Sequence, residues 1–498
     1  DQALFSKKLA TICKDVPIEF HIEEDRYEIP DYDKLVAVME DLEFKSLLKR
    51  IAKDKKSNKK ETHSLSPTAN IPSKSIIVST VEELDTIIQK MQLYRKFSFL
   101  FEDNLSIAFS EGEEYVIRYR GDLIDEGIGY EEMLQRMMPI WEDEDVEKIT
   151  HDGKKAILLL NKKEISLKNL SFDTMIASYL LNPSGTSYEP VKLIKEMLGI
   201  DKEKAGAADL WGLKKVMEQK MKELQLEQLY REVELPLVSV LADMEMEGFT
   251  VDVNVLDQLG KEYGETLERL TNEIYEIAGE EFNINSTKQL GNILFDKLKL
   301  PVIKKTKTGY STDVEVLEQL EPYHIIIKKI MEYRQIMKLK STYIDGLLHV
   351  IDPRTHKIHS SFNQTVTATG RISSTEPNLQ NIPVKTELGK EIRKVFTASG
   401  PDYVLVDADY SQIELRVLAH ISNDPGLIDA FERNQDIHQR TASEVFNVPM
   451  DEVSPFMRSS AKAVNFGIVY GISDFGLSKN LNISRKEAAN YIEKYLGK

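Results

Sequence analysis

Four side chains recur at a spacing of four residues in VSPFMRSSAKAVNFGIVYG, the segment that ends at Gly471: Arg458, Lys462, Phe466 and Tyr470. On a helix that advances about 100° per residue they form a slowly drifting stripe on one side. Met457, Ala461, Val464 and Ile468 fall on the other side, as a core face. Ser454 suits the N-cap, Pro455 the first helical position and Gly471 the stop. Two cations followed by two rings, turned away from a core, suit a ligand with phosphates at one end and a flat base at the other. A nucleoside triphosphate is such a ligand. Arg and Lys at this spacing also describe an ordinary solvated face, but that reading leaves Phe466 and Tyr470 without a reason.

A candidate for metal chemistry lies upstream, in YVLVDADYSQIELRVLAHIS. The β-branched and aromatic residues from Tyr403 to Ala408 predict a short strand. From Ser411 the pattern turns helical, with Ile413, Val417 and His420 or Ile421 on one side. Asp409 then sits where strand gives way to helix. A carboxylate placed there suits Mg²⁺, which takes one or two carboxylates plus substrate phosphates. The alternative is that Asp409 only caps the following helix.

Together these segments resemble a known family. DYSQIELRVLAHIS and RSSAKAVNFGIVYG are similar to the first two polymerase motifs of the bacterial family A DNA polymerases, the DNA polymerase I type. TATGRISSTEPNLQNIP (Thr367 to Pro383), the tripeptide from Asp436 to His438, and FNINSTKQLGNILF with KKTKTGYST in the region 280–312 extend the likeness over essentially the whole chain.

The resemblance implies template-directed DNA synthesis in replication and repair. Deoxynucleoside triphosphates would be added to a primer 3′-hydroxyl on primer–template DNA, by phosphoryl transfer with two Mg²⁺ ions. It implies Asp409 as the metal ligand, and Arg458, Lys462 and His438 on the phosphates. Lys462 is also suited to protonating the leaving group. Phe466 and Tyr470 would lie against base and sugar, and Glu414 in the space that a ribose 2′-hydroxyl needs. Gln412 would lie beside the nucleotide, and Arg393 near its phosphates. His438 also reads more simply, as a residue at a helix start near Asp436.

Arg371, Asn378 and Gln380, in the loop Thr367 to Pro383, suit the minor groove, where every base pair offers similar acceptors. By resemblance Arg371 contacts the primer-terminal pair. Lys304, Lys305 and Lys307 lie in a loop rich in Thr, Gly and Ser, which suits DNA phosphates. Ser286 and Gln289 form a capping-box pattern, and the start of that helix suits an anion as well.

The fold that accompanies the resemblance is α/β and multidomain. A ribonuclease H-like 3′–5′ exonuclease-type domain precedes a right-hand polymerase domain of thumb, palm and fingers, with the palm incomplete. Residues 1–50 resemble the tail of a 5′ nuclease region, and 51–74, rich in Lys, Ser, Thr and Pro, read as a linker. Residues 75–231 alternate short strands (Ser75–Thr80, Phe97–Phe101, Leu105–Phe109, Tyr115–Tyr119) with helices. The polymerase domain follows over 232–498, with the thumb at about 250–362, the palm at about 363–432 and the fingers from about 433.

Two departures from the family pattern stand out. FSFLFEDNLS lacks the Asp-x-Glu that the exonuclease type carries on its first strand, and Lys155 stands near the family's next metal-binding Asp. Asp209 keeps one acid without its Tyr partner, and Asp173 reads as a helix cap. This domain is expected to be an inactive scaffold. The His-Asp-Glu turn that supplies the family's second carboxylate does not occur in the 498 residues. The chain is therefore expected to be cut at both ends from a longer protein, and to bind without catalysing by itself.

Composition agrees with this reading. At ~100–200 residues per domain, 498 residues suggest about three domains. A net charge of −17 argues against general nucleic-acid affinity, but DNA binding needs only a local basic patch, such as the one between Lys299 and Asp345. One cysteine, Cys13, excludes an internal disulfide and fits a reducing compartment. No run approaches the ~20 apolar residues of a membrane helix. A monomer in the bacterial cytoplasm, associated with the nucleoid, is expected. Two rival readings are a single-subunit RNA polymerase and a non-catalytic DNA-binding scaffold. Glu414 and Phe466 argue against the first, and Asp409, Arg458, Lys462 and Tyr470 against the second.

Overall fold

The computed structural model describes residues 38–39, 74–120, 127–306, 309–384, 386–481 and 483–496. The chain divides into two compact units, Asp1–Phe396 and Thr397–Lys498. The regions 1–50 and 51–74 of the sequence reading lie almost wholly outside the described residues, as does Lys307.

The first unit opens with a six-stranded mixed sheet. Its strands are β1 (Lys74–Val78), β2 (Lys96–Phe101), β3 (Leu105–Ser110), β4 (Glu113–Ile117), β5 (Glu147–Thr150) and β6 (Leu170–Asp173), in the order β1-β4-β3-β2-β5-β6. The four strands expected from sequence are all present, within two residues at each end. The β2–β3–β4 meander is antiparallel, and β5 and β6 join β2 in parallel. Helices α1 (Val81–Tyr94) and α2 (Tyr130–Trp141) bury Leu84, Ile87, Met91, Met133, Met137 and Trp141 against Phe97, Phe99 and Ile107. The helices α3 (Gly153–Asn161), α4 (Thr174–Leu181) and α5 (Asp209–Glu223) share a second core with Leu100, Ile149 and Phe172. Apolar residues on both sides of the sheet thus force a three-layer α/β arrangement.

After α6 (Leu235–Glu247) comes α7 (Val253–Ala278). Asp252 caps α7 by accepting from the N–H groups of Asn254 and Val255, and Gly279 ends it at φ +73°. Its buried residues Leu256, Leu259, Tyr263, Leu267, Leu270, Ile274 and Ala278 recur every three or four positions, which makes one apolar stripe. That stripe packs with Ile326, Ile330, Tyr333 and Ile336 of α8 (Ile325–Leu339). The capping box at Ser286 forms in part. Ser286 Oγ accepts from Gln289 N–H at 3.4 Å, but the Gln289 side chain reaches back to Asn283 N–H, at 2.7 Å, and not to the cap residue. A hairpin of β7 (Ser361–Asn363) and β8 (Ser373–Thr375) carries the Thr367 loop at its tip.

The second unit is helical: α9 (Ile413–Ser422), α10 (Pro425–Glu432), α11 (Ile437–Phe446), α12 (Pro455–Val469), α13 (Asp474–Leu481) and α14 (Arg485–Leu496). Two sequence expectations need correction here. Tyr403 to Ala408 form no strand. These residues are exposed, and among the described residues no neighbouring strand pairs with them, so β-propensity has no ladder to join. The packed side of α9 is Leu415, Leu418 and Ala419, whereas Ile413, Val417 and Ile421 are exposed. The helix carries two apolar stripes with the same period, and periodicity alone does not choose between them.

Candidate functional site

In the second unit α11 and α12 pack together and α9 supplies Glu414. Ser454 Oγ accepts from Met457 N–H at 3.2 Å, Pro455 opens α12, and Gly471 follows its end at φ +71°. Ala461 and Val464 are buried as the helical pattern requires, and so are Ser460 and Asn465. Arg458, Lys462 and Tyr470 are exposed, and Phe466 is half-buried.

One carboxylate organises the start of the site. Asp436 Oδ1 caps α11, accepting from His438 N–H at 2.9 Å and Gln439 N–H at 3.1 Å. Its Oδ2 accepts from Arg458 Nε at 2.8 Å and lies 2.7 Å from Nη2. Burial raises the Asp436 pKa, but the Arg458 guanidinium and the helix N–H groups outweigh it, and the carboxyl sits below its usual range. His438 is 3% exposed, and its Nδ1 lies 3.0 Å from Asn465 Nδ2. Burial lowers the imidazole pKa, with Arg458 and Lys462 adding to that effect and Asp436 opposing it.

The rings continue the line. His438 and Phe466 have centroids 5.7 Å apart, and Phe466 and Tyr470 stack at 6.5 Å and 13°. The Tyr470 hydroxyl donates to Glu414 Oε1 at 3.1 Å. Cations, a neutral imidazole, two rings and a carboxylate therefore follow one another along one face. Cations at one end and rings with a carboxylate at the other suit a triphosphate at the first and a base with its sugar at the second. Sequence reasoning missed Asp436 as the partner of Arg458 and Asn465 as the partner of His438. A buried Asn among apolar helix positions was the available signal for the second.

Asp409 is exposed, in a segment without regular secondary structure that precedes α9. It does not cap that helix: the N-cap position is Gln412, at φ +54°, without a side-chain capping bond. Among the described residues no group of three or more His, Cys, Asp or Glu gathers around a metal position. Asp409, the donor that the resemblance assigns, is an exposed carboxylate. This fits Mg²⁺ bound largely through substrate phosphates and water, and not a closed protein cage.

The nucleic-acid candidates lie in the first unit. Gln380 spends its amide on its own loop, donating to Ile372 O at 2.9 Å and accepting from Ser374 N–H at 3.3 Å. Asn378 Oδ1 accepts from Gln380 N–H at 3.0 Å. Both therefore brace the loop that carries exposed Arg371. Lys304 pairs with Asp313 at 3.2 Å, and Lys305 lies 5.6 Å from the Tyr310 ring centroid. Arg393 closes the helix Glu387–Arg393 and is exposed.

In the sheet domain, Asp173 is the cap that the sequence suggested. It is fully buried and accepts from the N–H groups of Gly153 (2.6 Å), Met175 (2.8 Å), Asp152 (3.2 Å) and Ile176 (3.4 Å). Asp209 is held by Lys202 Nζ at 2.6 and 2.7 Å and by Gly206 N–H at 2.8 Å. Lys155 gives its N–H to the Asp152 side chain, which caps α3.

Residues 253–498 match the family model for DNA polymerase family A, and residues 126–203 match that for the ribonuclease H-like domain of DNA polymerase I. The chain is 42% identical to DNA polymerase I of Geobacillus stearothermophilus over 99% of its length, and 43% identical to that of Bacillus subtilis strain 168 over 100%. A solved structure of the POL domain of Pol1 from M. smegmatis, in complex with DNA primer-template and dNTP, superposes with a TM-score of 0.74. That match has 34% sequence identity and covers 85% of this chain and 76% of that one. The chain belongs to DNA polymerase family A. It spans 58% of the length of the two curated relatives. In this family A chain α2, β5, α3, β6 and α4 fall within the ribonuclease H-like match, and the helices from α7 onward fall within the polymerase match.

Proposed function

We propose that the protein carrying this chain is a DNA-directed DNA polymerase that extends a primer on a DNA template from deoxynucleoside triphosphates. The observation that carries this reading is the line Arg458, His438, Phe466, Tyr470 and Glu414 along one face of the second unit. Arg458, Lys462 and the His438 imidazole grip the triphosphate. Phe466 and Tyr470 lie against base and sugar, with Gln412 beside them, and Glu414 fills the 2′ position. The primer 3′-hydroxyl gives its proton to water as its oxygen attacks the α-phosphorus, the bond to the bridging oxygen breaks and pyrophosphate leaves. The Lys462 ammonium donates a proton to that leaving oxygen. Asp409 would hold Mg²⁺, which, when bound, neutralises charge on the phosphates.

Arg371 and the Lys304–Lys305 loop contact primer–template DNA, while the ribonuclease H-like domain has no nuclease activity of its own. The domain divisions assigned from sequence, and a cytoplasmic monomer acting in replication and repair, complete the proposal. No helix among the described residues is long and apolar enough to cross a membrane.

Primer extension by the whole protein tests the reading. Asp409→Asn should abolish metal-dependent extension while leaving DNA binding intact. Lys462→Ala should slow extension with all four deoxynucleotides alike, because its partner is phosphate. Undiminished extension by Asp409→Asn would overturn the assignment.

A further inference from the structure

Tyr179, on α4 of the ribonuclease H-like domain, is 3% exposed. Its hydroxyl donates to the Thr367 carbonyl at 2.8 Å and accepts from Gly370 N–H at 3.1 Å. A phenolic hydroxyl carries one proton, so its donor is committed to this loop and so is an acceptor site. The Thr367 hydroxyl closes the same turn by donating to the Arg371 carbonyl at 2.6 Å. Gly370 holds φ +78°, a conformation open to glycine and strained for a residue with a Cβ. Arg371 is the next residue.

Two further clasps reach the hairpin that carries this loop. Lys154, on α3, donates from Nζ to Glu245 Oε1 and to the Phe362 carbonyl, each at 2.5 Å. The same Glu245 oxygen accepts from Phe362 N–H at 2.7 Å, and the Lys154 and Glu245 side chains are 18% and 10% exposed. The second clasp lies within the region 232–498 itself: Gln364 Nε2 donates to the Glu234 carbonyl at 2.9 Å and to its carboxylate at 2.5 Å. Polar groups buried with such partners fix geometry, because breaking one contact strands the other half.

We propose that the ribonuclease H-like domain serves the polymerase as a brace for residues 362–371, through Lys154 and Tyr179, with Tyr179 the positioning residue that sets where Arg371 emerges. This rests on the reading that Arg371 contacts the primer terminus. It gives a domain whose acids are spent on caps and ion pairs a role in DNA synthesis that needs no metal and no cleavage. Tyr179 touches no substrate; it acts through the Thr367–Arg371 backbone. Its ring also packs edge-on against Tyr188, with centroids 6.1 Å apart. Tyr179→Phe keeps that contact and removes only the hydroxyl.

The test is a double-mutant cycle in the whole protein, read as the Kd for a primer–template duplex and as kcat and KM for the nucleotide. Tyr179→Phe should raise the duplex Kd by about three- to tenfold, the scale of losing a buried hydrogen bond, with the nucleotide KM unchanged. Arg371→Ala should weaken duplex binding as well, and adding Tyr179→Phe to it should cost nothing further. Amide exchange at Gly370 should accelerate in Tyr179→Phe, which a purely packing role would not produce. If Arg371→Ala weakens binding and Tyr179→Phe does not, or if their effects simply add, the brace is refuted. If Arg371→Ala itself leaves duplex binding unchanged, the assignment of the loop to DNA fails, and the brace fails with it.

Discussion

Asp436 separates two jobs between its two oxygens, so a single-atom change can remove one and keep the other. Oδ1 caps α11 and Oδ2 holds Arg458. Asp436→Asn keeps an oxygen for the cap and replaces the other with an amide that repels the guanidinium. The Arg458–Asp436 side chains are 45% and 31% exposed, and exposed pairs of this kind contribute about 0–1 kcal/mol. Releasing Arg458 from this competitor should therefore tighten triphosphate binding by up to about fivefold. Asp436→Ala also loses the cap, at about 0.5–2 kcal/mol. For a unit of this size that lowers the melting temperature by about 4–8 °C per kcal/mol. Titration with a deoxynucleoside triphosphate and a thermal melt of each variant give both numbers. Weaker nucleotide binding in Asp436→Asn would show that the carboxylate aims Arg458 at the phosphates and does not compete for it, and the reasoning would fail.

Glu414→Ala should let ribonucleotides in, since it removes bulk and charge at the position where Tyr470 now donates to the carboxylate. The expected gain in the ribo/deoxy ratio of kcat/KM is about 5- to 150-fold, the worth of one small group in a pocket, and an unchanged ratio would count against the role. Single-stranded 3′ ends should survive incubation with Mg²⁺ or Mn²⁺, because Asp209 is already bound by Lys202 and Gly206; metal-dependent release that Asp209→Ala abolishes would refute this. Burial holds His151 down to about 4 and pushes Asp173 up to about 6. The His151 contribution is complete above 6.5 and is lost as pH falls toward 4, while the Asp173 contribution is complete below 3.8 and is lost as pH rises through 6. Each is worth about 3 kcal/mol, so they nearly cancel. His151→Gln should unmask a rise in urea stability from pH 6 to pH 4, and a pH-independent offset from wild type would contradict the assignment.

The elements that carry strong local signals were legible in the sequence. The Ser454–Pro455 start and the Gly471 stop of α12 are written in residues whose backbone preferences leave little choice. Four of the six sheet strands of the first unit were legible for the same reason, since Phe97, Phe99 and Ile107 are strong strand formers buried in one core, with Leu100 in the other; β5 and β6 were not read. Tyr403–Ala408 was misread because a strand is a property of a pair, and propensity describes only one member. The α9 face was misread because Ile413–Val417–Ile421 and Leu415–Leu418–Ala419 share one period. The partners of His438 and Arg458 were not legible at all. Asn465 and Asp436 lie 27 and 22 residues from them, and only packing of α11 on α12 makes them neighbours.

That packing also decides what kind of group His438 is. As the Asn465 amide is oriented, its N–H₂ donates to Nδ1, and so the imidazole proton resides on Nε2. The depressed pKa keeps the ring neutral at physiological pH. On the proposed function His438 would meet phosphate as a neutral donor, unlike Arg458 and Lys462, which would meet it as charges. Charge attracts the triphosphate, and a neutral donor of fixed direction orients it. The two roles have different pH signatures. A charged imidazole would lose its grip as pH rises past 6.5. A neutral one held by Asn465 would not, so the ratio of nucleotide affinities between wild type and His438→Gln should stay constant from pH 7 to pH 8.5. Asn465→Asp places an acceptor against Nδ1, draws the proton there and raises the imidazole pKa, and the same ratio should then fall across that range.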